Sequence, residues 1–324
     1  MSPAESTPGS GRLFSHVTAQ APGKVNLSLA VGTPREDGYH PVASVYLAVS
    51  LLEEVTATPR TDGEVSVSLA DHSSVFVDPE VIPQDASNLA ARAAVLLRER
   101  LGLDPQTHGV HLEIVKQVPV AGGMGGGSAD AAAALMACAA LWDAGLSRQD
   151  LAAIGAPLGA DVPFAVMGGA AVGLGVGDEL TPLLARHPVH LVLVPAATGL
   201  STPRVYRLLD ELREQRAVPT PDTEPEVDRE LVQALTAGNA EELALRLRND
   251  LQVPAATMVP ELSDMLDVGL EEGALAGQVS GSGPTVMFLT RSAEESFQLA
   301  ARLEDRTGVA AIAVHGPVHG ARVL

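Results

Sequence analysis

The stretch Pro119-Val-Ala-Gly-Gly-Met-Gly-Gly-Gly-Ser-Ala-Asp130 carries five glycines, Gly122, Gly123, Gly125, Gly126 and Gly127, between two unlike neighbours. Before it, Gly109-Val-His-Leu-Glu-Ile-Val-Lys116 alternates as a strand does. After it, Ala131 to Trp142 is a run of Ala, Leu and Met with high helix propensity. A glycine loop that ends in Ser128 and opens a helix lets backbone N–H groups converge on one point. The helix dipole adds positive potential there, so the guest it suits is a phosphate. A plain connector would not need so many residues whose ordering is entropically costly. Neither common nucleotide fingerprint fits. Gly122 and Gly127 have P-loop spacing, but Ser128 and Ala129 stand where Lys and Ser/Thr belong. The pattern Gly123-x-Gly125 is followed by Ser128 where a dinucleotide motif needs glycine.

The 324 residues suffice for two domains, and 46% hydrophobic content with 3% aromatics predicts cores of Ala, Val and Leu. A formal charge of −19 speaks against nucleic-acid or anionic-membrane partners, so an anionic substrate has to be drawn in by local groups. The one cysteine, Cys138, excludes an internal disulfide and falls in the apolar helix, where a buried inert thiol is expected. Residues 1–12 read as a loose Ser/Pro/Gly tail with no signal-peptide core. A cytoplasmic protein, monomer or homodimer, is expected.

Val17 to Val31 reads as strand interrupted at Ala21-Pro-Gly-Lys24. Val42 to Val55 and Val65 to Leu69 read as further strands, and Asn88 to Leu101 as a helix. Ser147 is a candidate cap for a helix to Gly155, with Asp150 in its first turn. A second unit opens at His190–Val194. It continues through helices at 202–213, 230–235, 240–246 and 261–271, with an acidic Pro-containing surface loop at 214–229. It closes with strand 278–280, the turn Gly281-Ser-Gly-Pro284, strand 285–290, helix 293–306 and strand 310–315. The expected domains are 13–185 and 186–324, together an α+β fold.

Three further segments interrupt this pattern. In Pro22-Gly-Lys-Val-Asn-Leu27, Lys24 and Asn26 are two apart and share a strand face; an exposed edge strand is an equal reading. In Gly159-Ala-Asp-Val-Pro-Phe164, Asp161 reads as capping a helix or closing a turn. Val279-Ser-Gly-Ser-Gly-Pro-Thr285 is either a tight hairpin or a ligand contact.

Taken in order, Pro-Gly-Lys-Val-Asn-Leu, Pro-x3-Gly-Met-Gly-Gly-Gly-Ser-Ala and Ser-Gly-Ser-Gly-Pro resemble the three motifs of the small-molecule kinases of galactose, homoserine, mevalonate and phosphomevalonate, the GHMP kinases. The resemblance runs from about Val17 to the C-terminus. Within that superfamily, Arg35-Glu-Asp-Gly-Tyr-His40 and Leu158-Gly-Ala-Asp-Val-Pro163 are similar to the 4-diphosphocytidyl-2-C-methyl-D-erythritol kinases of the non-mevalonate isoprenoid pathway. Val115-Lys116 and Arg248-Asn-Asp-Leu251 agree with this.

The resemblance implies a mixed α/β N-terminal domain, a ferredoxin-like C-terminal sandwich, and an active site in the cleft between them. It implies ATP with Mg²⁺ as phosphoryl donor, and the 2-hydroxyl of the cytidylyl methylerythritol as acceptor. On that likeness, Asp161 accepts the hydroxyl proton and Lys24 is the cation beside it. Pro119, Val120, Ala121, Gly122, Gly123, Met124, Gly125, Gly126, Gly127, Ser128 and Ala129 hold the phosphates, with Ser128 the candidate Mg²⁺ ligand. Asn88 falls on the adenine side and Lys116 on the nucleotide rim, although Lys116 reads equally as a solvated strand end. Tyr39, His40 and Tyr206 fall at the base, Asn26 and Thr202 at the methylerythritol end, and Gly281, Ser282 and Gly283 in the acceptor-side turn. The motifs depart from the family at Gly23, where Ala is commoner, and at Asp130, an acidic residue read as a helix cap and otherwise as a group approaching Mg²⁺. Two alternatives stay open: a mevalonate- or homoserine-type kinase, and a nucleotide-binding regulator without catalysis.

Overall fold

The computed structural model describes residues 15–73, 82–196, 199–221 and 224–324. The expected tail, 1–12, lies outside them. Two sheets stand back to back with helices on their outer sides, and the helices at 229–237 and 240–246 pack into the core between them. The first contains β1 (Val17–Val31), β2 (Val42–Arg60), β3 (Val65–Leu69), β4 (Gly109–Val115), β5 (Ala170–Leu174) and β6 (Glu179–Leu183). Its central order is β1-β2-β4-β3, and β5 joins the first half of β2. Its helices are α1 (Leu89–Arg100), α2 (Gly126–Leu141), α3 (Arg148–Gly155) and α4 (Asp161–Met167). The second sheet contains β7 (Val189–Val194), β9 (Ala276–Val279), β10 (Val286–Thr290) and β11 (Ile312–Gly316), in the order β11-β7-β10-β9 with every pairing antiparallel. Numbered within this sheet, that is 4-1-3-2, the ferredoxin-like order. Its helices are α5 (Thr202–Glu214), α6 (Arg229–Ala237), α7 (Ala240–Arg246), α8 (Gln252–Met258), α9 (Glu261–Glu271) and α10 (Ala293–Thr307). The expected boundary at 185/186 falls in the link from β6 to β7. The chain then crosses back twice, because β8 (Arg248–Asn249) and β12 (Arg322–Val323) both pair with β1.

Period-two alternation builds the middle layers. Leu191, Leu193, Met287 and Leu289 face the first sheet in one core, while Val192, Val194, Val286 and Phe288 face the outer helices in another. A third core lies between the first sheet and α1 to α4, and it is made largely of alanine from Ala129 to Ala139. The low aromatic content is thereby accounted for: helices lined with alanine approach a sheet closely. Cys138 is buried there, and burial pushes its thiol up to about 12, so it is inert as expected.

Strand β1 is continuous through Ala21–Lys24 rather than broken, but its register against β2 shifts between Pro22 and Lys24 and again between Asn26 and Ser28. Across the first irregularity the odd-numbered side chains pass from the helix-side core (Ala19, Ala21) to the inter-sheet core (Val25, Leu27). Lys24 and Asn26 are left facing the glycine loop. This is the usual work of a bulge, which re-aims side chains beside a site.

Gly269 on α9 gives a test of the outer core. A Cβ there would come within 2.0 Å of Phe288 Cε1, and Phe288 is fully buried. In an exposed helix Gly→Ala would stabilise by about 1 kcal/mol; here overpacking costs about 1–3 kcal/mol. Gly269→Ala is therefore expected to lower the urea midpoint with an unchanged m-value, and a higher midpoint would contradict this packing.

Candidate active site

A cavity of about 680 Å³ opens between the two sheets, lined by the glycine loop, Lys24, Asn26, Asp161, Thr202, Tyr206 and the 281–282 turn, with Asn88, Lys116 and Asp130 at its other end. It brings together most of the residues marked in the sequence, from segments more than 250 positions apart.

The loop is held at three places by its own backbone. Gly123 and Gly125 have φ of +73° and +69°, the left-handed region in which a side chain is strained. Close approach adds to this: a Cβ on Gly123 would stand 2.2 Å from the Ser280 carbonyl oxygen. The Met124 carbonyl accepts the Lys24 backbone N–H at 2.9 Å, while the Met124 side chain is fully buried in the inter-sheet core. Gly125 is the left-handed cap, and α2 begins at Gly126, inside the loop and before the alanine run that announces it in the sequence. Gly126, Gly127 and Ser128 are thus the first turn of a 16-residue helix, whose N–H groups have no intrahelical partners. Ala129 is buried behind them in the helix-side core. Pro119, Val120 and Ala121 line the cavity wall.

Lys24 is 8% exposed. Its Nζ donates to Asn26 Oδ1 at 2.8 Å and to the Gly123 carbonyl at 3.0 Å, and lies 3.8 Å from Asp161 Oδ2. Asn26 donates in turn to Ser44 Oγ at 2.7 Å, which donates to the Ser28 carbonyl. The shared face of Lys24 and Asn26 is real, and the edge-strand reading falls, since β1 is covered on both sides. Asp161 opens α4 without capping it: the cap position is Ala160, and no side-chain cap bond forms there. Gly125 lies beside the pair, since a Cβ there would be in ordinary contact, 3.4 Å from Asp161 Oδ2 and from Lys24 Cγ.

The segment Gly281-Ser-Gly283 is the hairpin the sequence allowed, and it stands at the cavity wall. It is the tight turn of the β9–β10 hairpin, with Gly283 N–H donating to the Ser280 carbonyl at 2.9 Å, and Gly281 and Ser282 line the cavity. Ser282 Oγ is 2.8 Å from Thr202 Oγ1 at the start of α5. Asn249, not singled out from the sequence, holds this turn with two bonds of 2.7 Å from its amide to the Val279 and Gly281 carbonyls.

Other marked residues sit differently. Asn88 is the N-cap of α1: its Oδ1 accepts the Ala90 N–H and its amide donates to the Pro83 carbonyl, so the part it turns to the cavity is already engaged. Tyr206 lines the cavity, and burial pushes its phenol up to about 12, leaving a neutral hydroxyl. His40 is buried beside it, ring centroids 5.0 Å apart, with Nε2 2.9 Å from Asp210 Oδ1. Tyr39 is 64% exposed, and neither it nor His40 is among the residues lining the cavity. Asp130 does not cap α2. It is buried one turn further along, as the fifth residue of α2, and bonded to Lys116, which is buried and not a solvated strand end. A carboxylate and an ammonium of opposite charge met in the interior, where neither is stable alone.

A model of the GHMP kinases N terminal domain matches residues 88–169, and one of the GHMP kinases C terminal domain matches 231–309. The chain is 54% identical over 308 residues to the 4-diphosphocytidyl-2-C-methyl-D-erythritol kinase of Pseudarthrobacter chlorophenolicus, covering 95% of each. It is 47% identical to that of Thermobifida fusca over 313 residues, 95% of this chain and 98% of the other. A crystal structure of 4-(cytidine 5'-diphospho)-2C-methyl-D-erythritol kinase superposes with a TM-score of 0.71 at 32% identity, covering 92% of this chain and 98% of that one. Mevalonate kinase of L. major superposes with a TM-score of 0.76 but at 15% identity, over 96% of this chain and all of that one. Shape alone does not separate these kinases; sequence does. The chain belongs to the 4-diphosphocytidyl-2-C-methyl-D-erythritol kinase family of GHMP kinases.

Proposed function

We propose that this protein transfers the γ-phosphoryl group of ATP to the 2-hydroxyl of 4-diphosphocytidyl-2-C-methyl-D-erythritol, with Asp161 as base and Lys24 as its electrostatic partner. The observation that carries the reading is the Lys24–Asp161 pair, 3.8 Å apart at the mouth of the glycine loop. A carboxylate and an ammonium meet where an acceptor hydroxyl would face the terminal phosphate. The hydroxyl oxygen attacks the γ-phosphorus while Asp161 takes its proton. The bond from that phosphorus to the bridging oxygen breaks, and ADP leaves. In such a transfer the protein mainly aligns oxygens and stabilises spread negative charge. The amides at the start of α2 serve the donor phosphates, and Lys24 serves the attacking side.

Mg²⁺ fits the oxygen donors present. Ser128 lines the cavity, and Asp130 Oδ1 is a buried carboxylate oxygen without a hydrogen-bond partner. Among the described residues no group of three or more His, Cys, Asp or Glu side chains exists to hold a metal alone. A hard cation here shares its ligands with the nucleotide phosphates, and when bound it neutralises part of their charge.

On the acceptor side, Thr202, Ser282 and Asn26 line the methylerythritol end, and Tyr206 offers one face to the cytosine. Tyr39 would cover the other face on acceptor binding. Asp210 holds Nε2 of His40, so the ring is oriented with Nδ1 free to meet the base edge. A mevalonate or homoserine acceptor has no base for this group of side chains.

Asp161→Asn is expected to lower kcat by about 10²–10⁴-fold, the usual contribution of a base, with ADP affinity by calorimetry unchanged; near-normal turnover would remove the assignment. Tyr39→Ala is expected to raise the acceptor KM roughly 5- to 150-fold, since a stacked base is worth about 1–3 kcal/mol. The KM for ATP should stay within about twofold, and equal shifts in both constants would place the base elsewhere. ATP consumption with the cytidylyl substrate and none with mevalonate is the outcome that supports the acceptor.

A further inference from the structure

Beneath the loop lies an ion cluster of which only Asp130 Oδ1 enters the reading above. Glu53 of β2, Lys116 just past β4 and Asp130 of α2 are 0%, 2% and 4% exposed. Lys116 Nζ donates to Glu53 Oε1, and to Asp130 Oδ2 at 2.7 Å. Glu53 also accepts two backbone N–H groups, from Gln117 on Oε2 at 2.9 Å and from Val118 on Oε1 at 3.3 Å. Gln117 and Val118 lead directly into the glycine loop, and Asp130 is the fifth residue of the helix that leaves it. Gly126 lies against the cluster: a Cβ there would sit 3.1 Å from Glu53 Oε1 and 3.3 Å from Lys116 Nζ.

Two carboxylates sharing one ammonium is a poor way to stabilise a core. Each ion loses several kcal/mol of hydration, and an apolar trio of similar volume often does as well. Burial pushes both carboxyl groups up, Glu53 to about 8, which shows how ill-matched the charges are to the interior. What such a cluster does provide is geometry, since charge-assisted bonds fix distances and directions that apolar contacts leave free. Lys116 and Asp130 also line the cavity.

We propose that Glu53, Lys116 and Asp130 are positioning residues for the phosphate loop, locking the chain that enters it to the helix that leaves it so that its amides are preorganised for the nucleotide. This rests on the kinase reading only in taking a nucleotide as the loop's ligand. ADP titrated calorimetrically into the intact chain, with no acceptor present, is the direct measure. Lys116→Met strands two buried carboxylates, so the neutral set E53Q/K116M/D130N is measured beside it. In both, ADP affinity is expected to fall on the order of tenfold, the loss typical when supporting residues no longer hold a binding group in place. The acceptor KM should stay within about twofold, and amide exchange should quicken at residues 117–130 and not in the second sheet. Wild-type ADP affinity in the folded neutral set would overturn the assignment, as would equal weakening of nucleotide and acceptor. A neutral set that no longer unfolds cooperatively would also overturn it, by making the cluster a determinant of the fold. An unaltered chain that fails to bind ADP would instead sink the kinase reading itself.

Discussion

The site depends on how closely the backbone of the glycine loop approaches its surroundings. At Gly123 the chain touches the hairpin turn of the second sheet, with Ser280 O only 2.2 Å from where a Cβ would be. One residue later the Met124 carbonyl is bonded to Lys24 on the central strand. No residue with a side chain fits the first contact, and the left-handed φ there strains any residue but glycine. The glycines are thus needed twice over. They leave open the cavity at the start of α2, and they let the loop touch the second sheet's hairpin so that both halves of the chain line one cleft.

Charge follows from the same constraint. A chain with formal charge −19 repels a polyphosphate at a distance, so attraction has to be local. The N–H groups at the start of α2 and the buried Lys24 are the local positive groups that face the cavity, whereas the buried Lys116 is already matched by two carboxylates. Lys24 is fixed by Asn26 and the Gly123 carbonyl and turned toward Asp161. Lys116 is fixed by Glu53 and Asp130. A tethered ammonium loses little further entropy when the phosphate binds, which compensates for its weak reach through the protein's own negative field.

Much of this was legible in the sequence, and what was not has particular causes. Helices α7 and α9 fall where their periodicity puts them, with Asn239 and Ser147 as caps of α7 and α3. The helices starting at Asp161 and at Gln252 were missed because Pro163 and Pro254 look like breaks. Each lies in the first turn, where the missing N–H has no intrahelical partner to lose. The start of α2 was placed too late because glycine is a poor helix former, yet tertiary contacts hold Gly126 helical. Lys24, Asp161 and the loop came from motif order. Glu53 did not: it sits in an apolar run, and its partner Lys116 is 63 residues away. A buried pair of that kind leaves no local pattern.

The acceptor end shows where such reading stops. Tyr206 and His40 are in contact, but His40 spends Nε2 on Asp210, a residue with no motif of its own. Recognition of a base edge requires a ring nitrogen of known role, and a histidine acquires one only through what its other nitrogen bonds. Asp210 Oδ1 lies 2.9 Å from Nε2 and so orients the ring. The likeness to mevalonate kinase is one of fold alone. Helix α5 carries Thr202, Tyr206 and Asp210 at four-residue spacing on one face, so that one helix sets two cavity-lining side chains and the partner of His40 together.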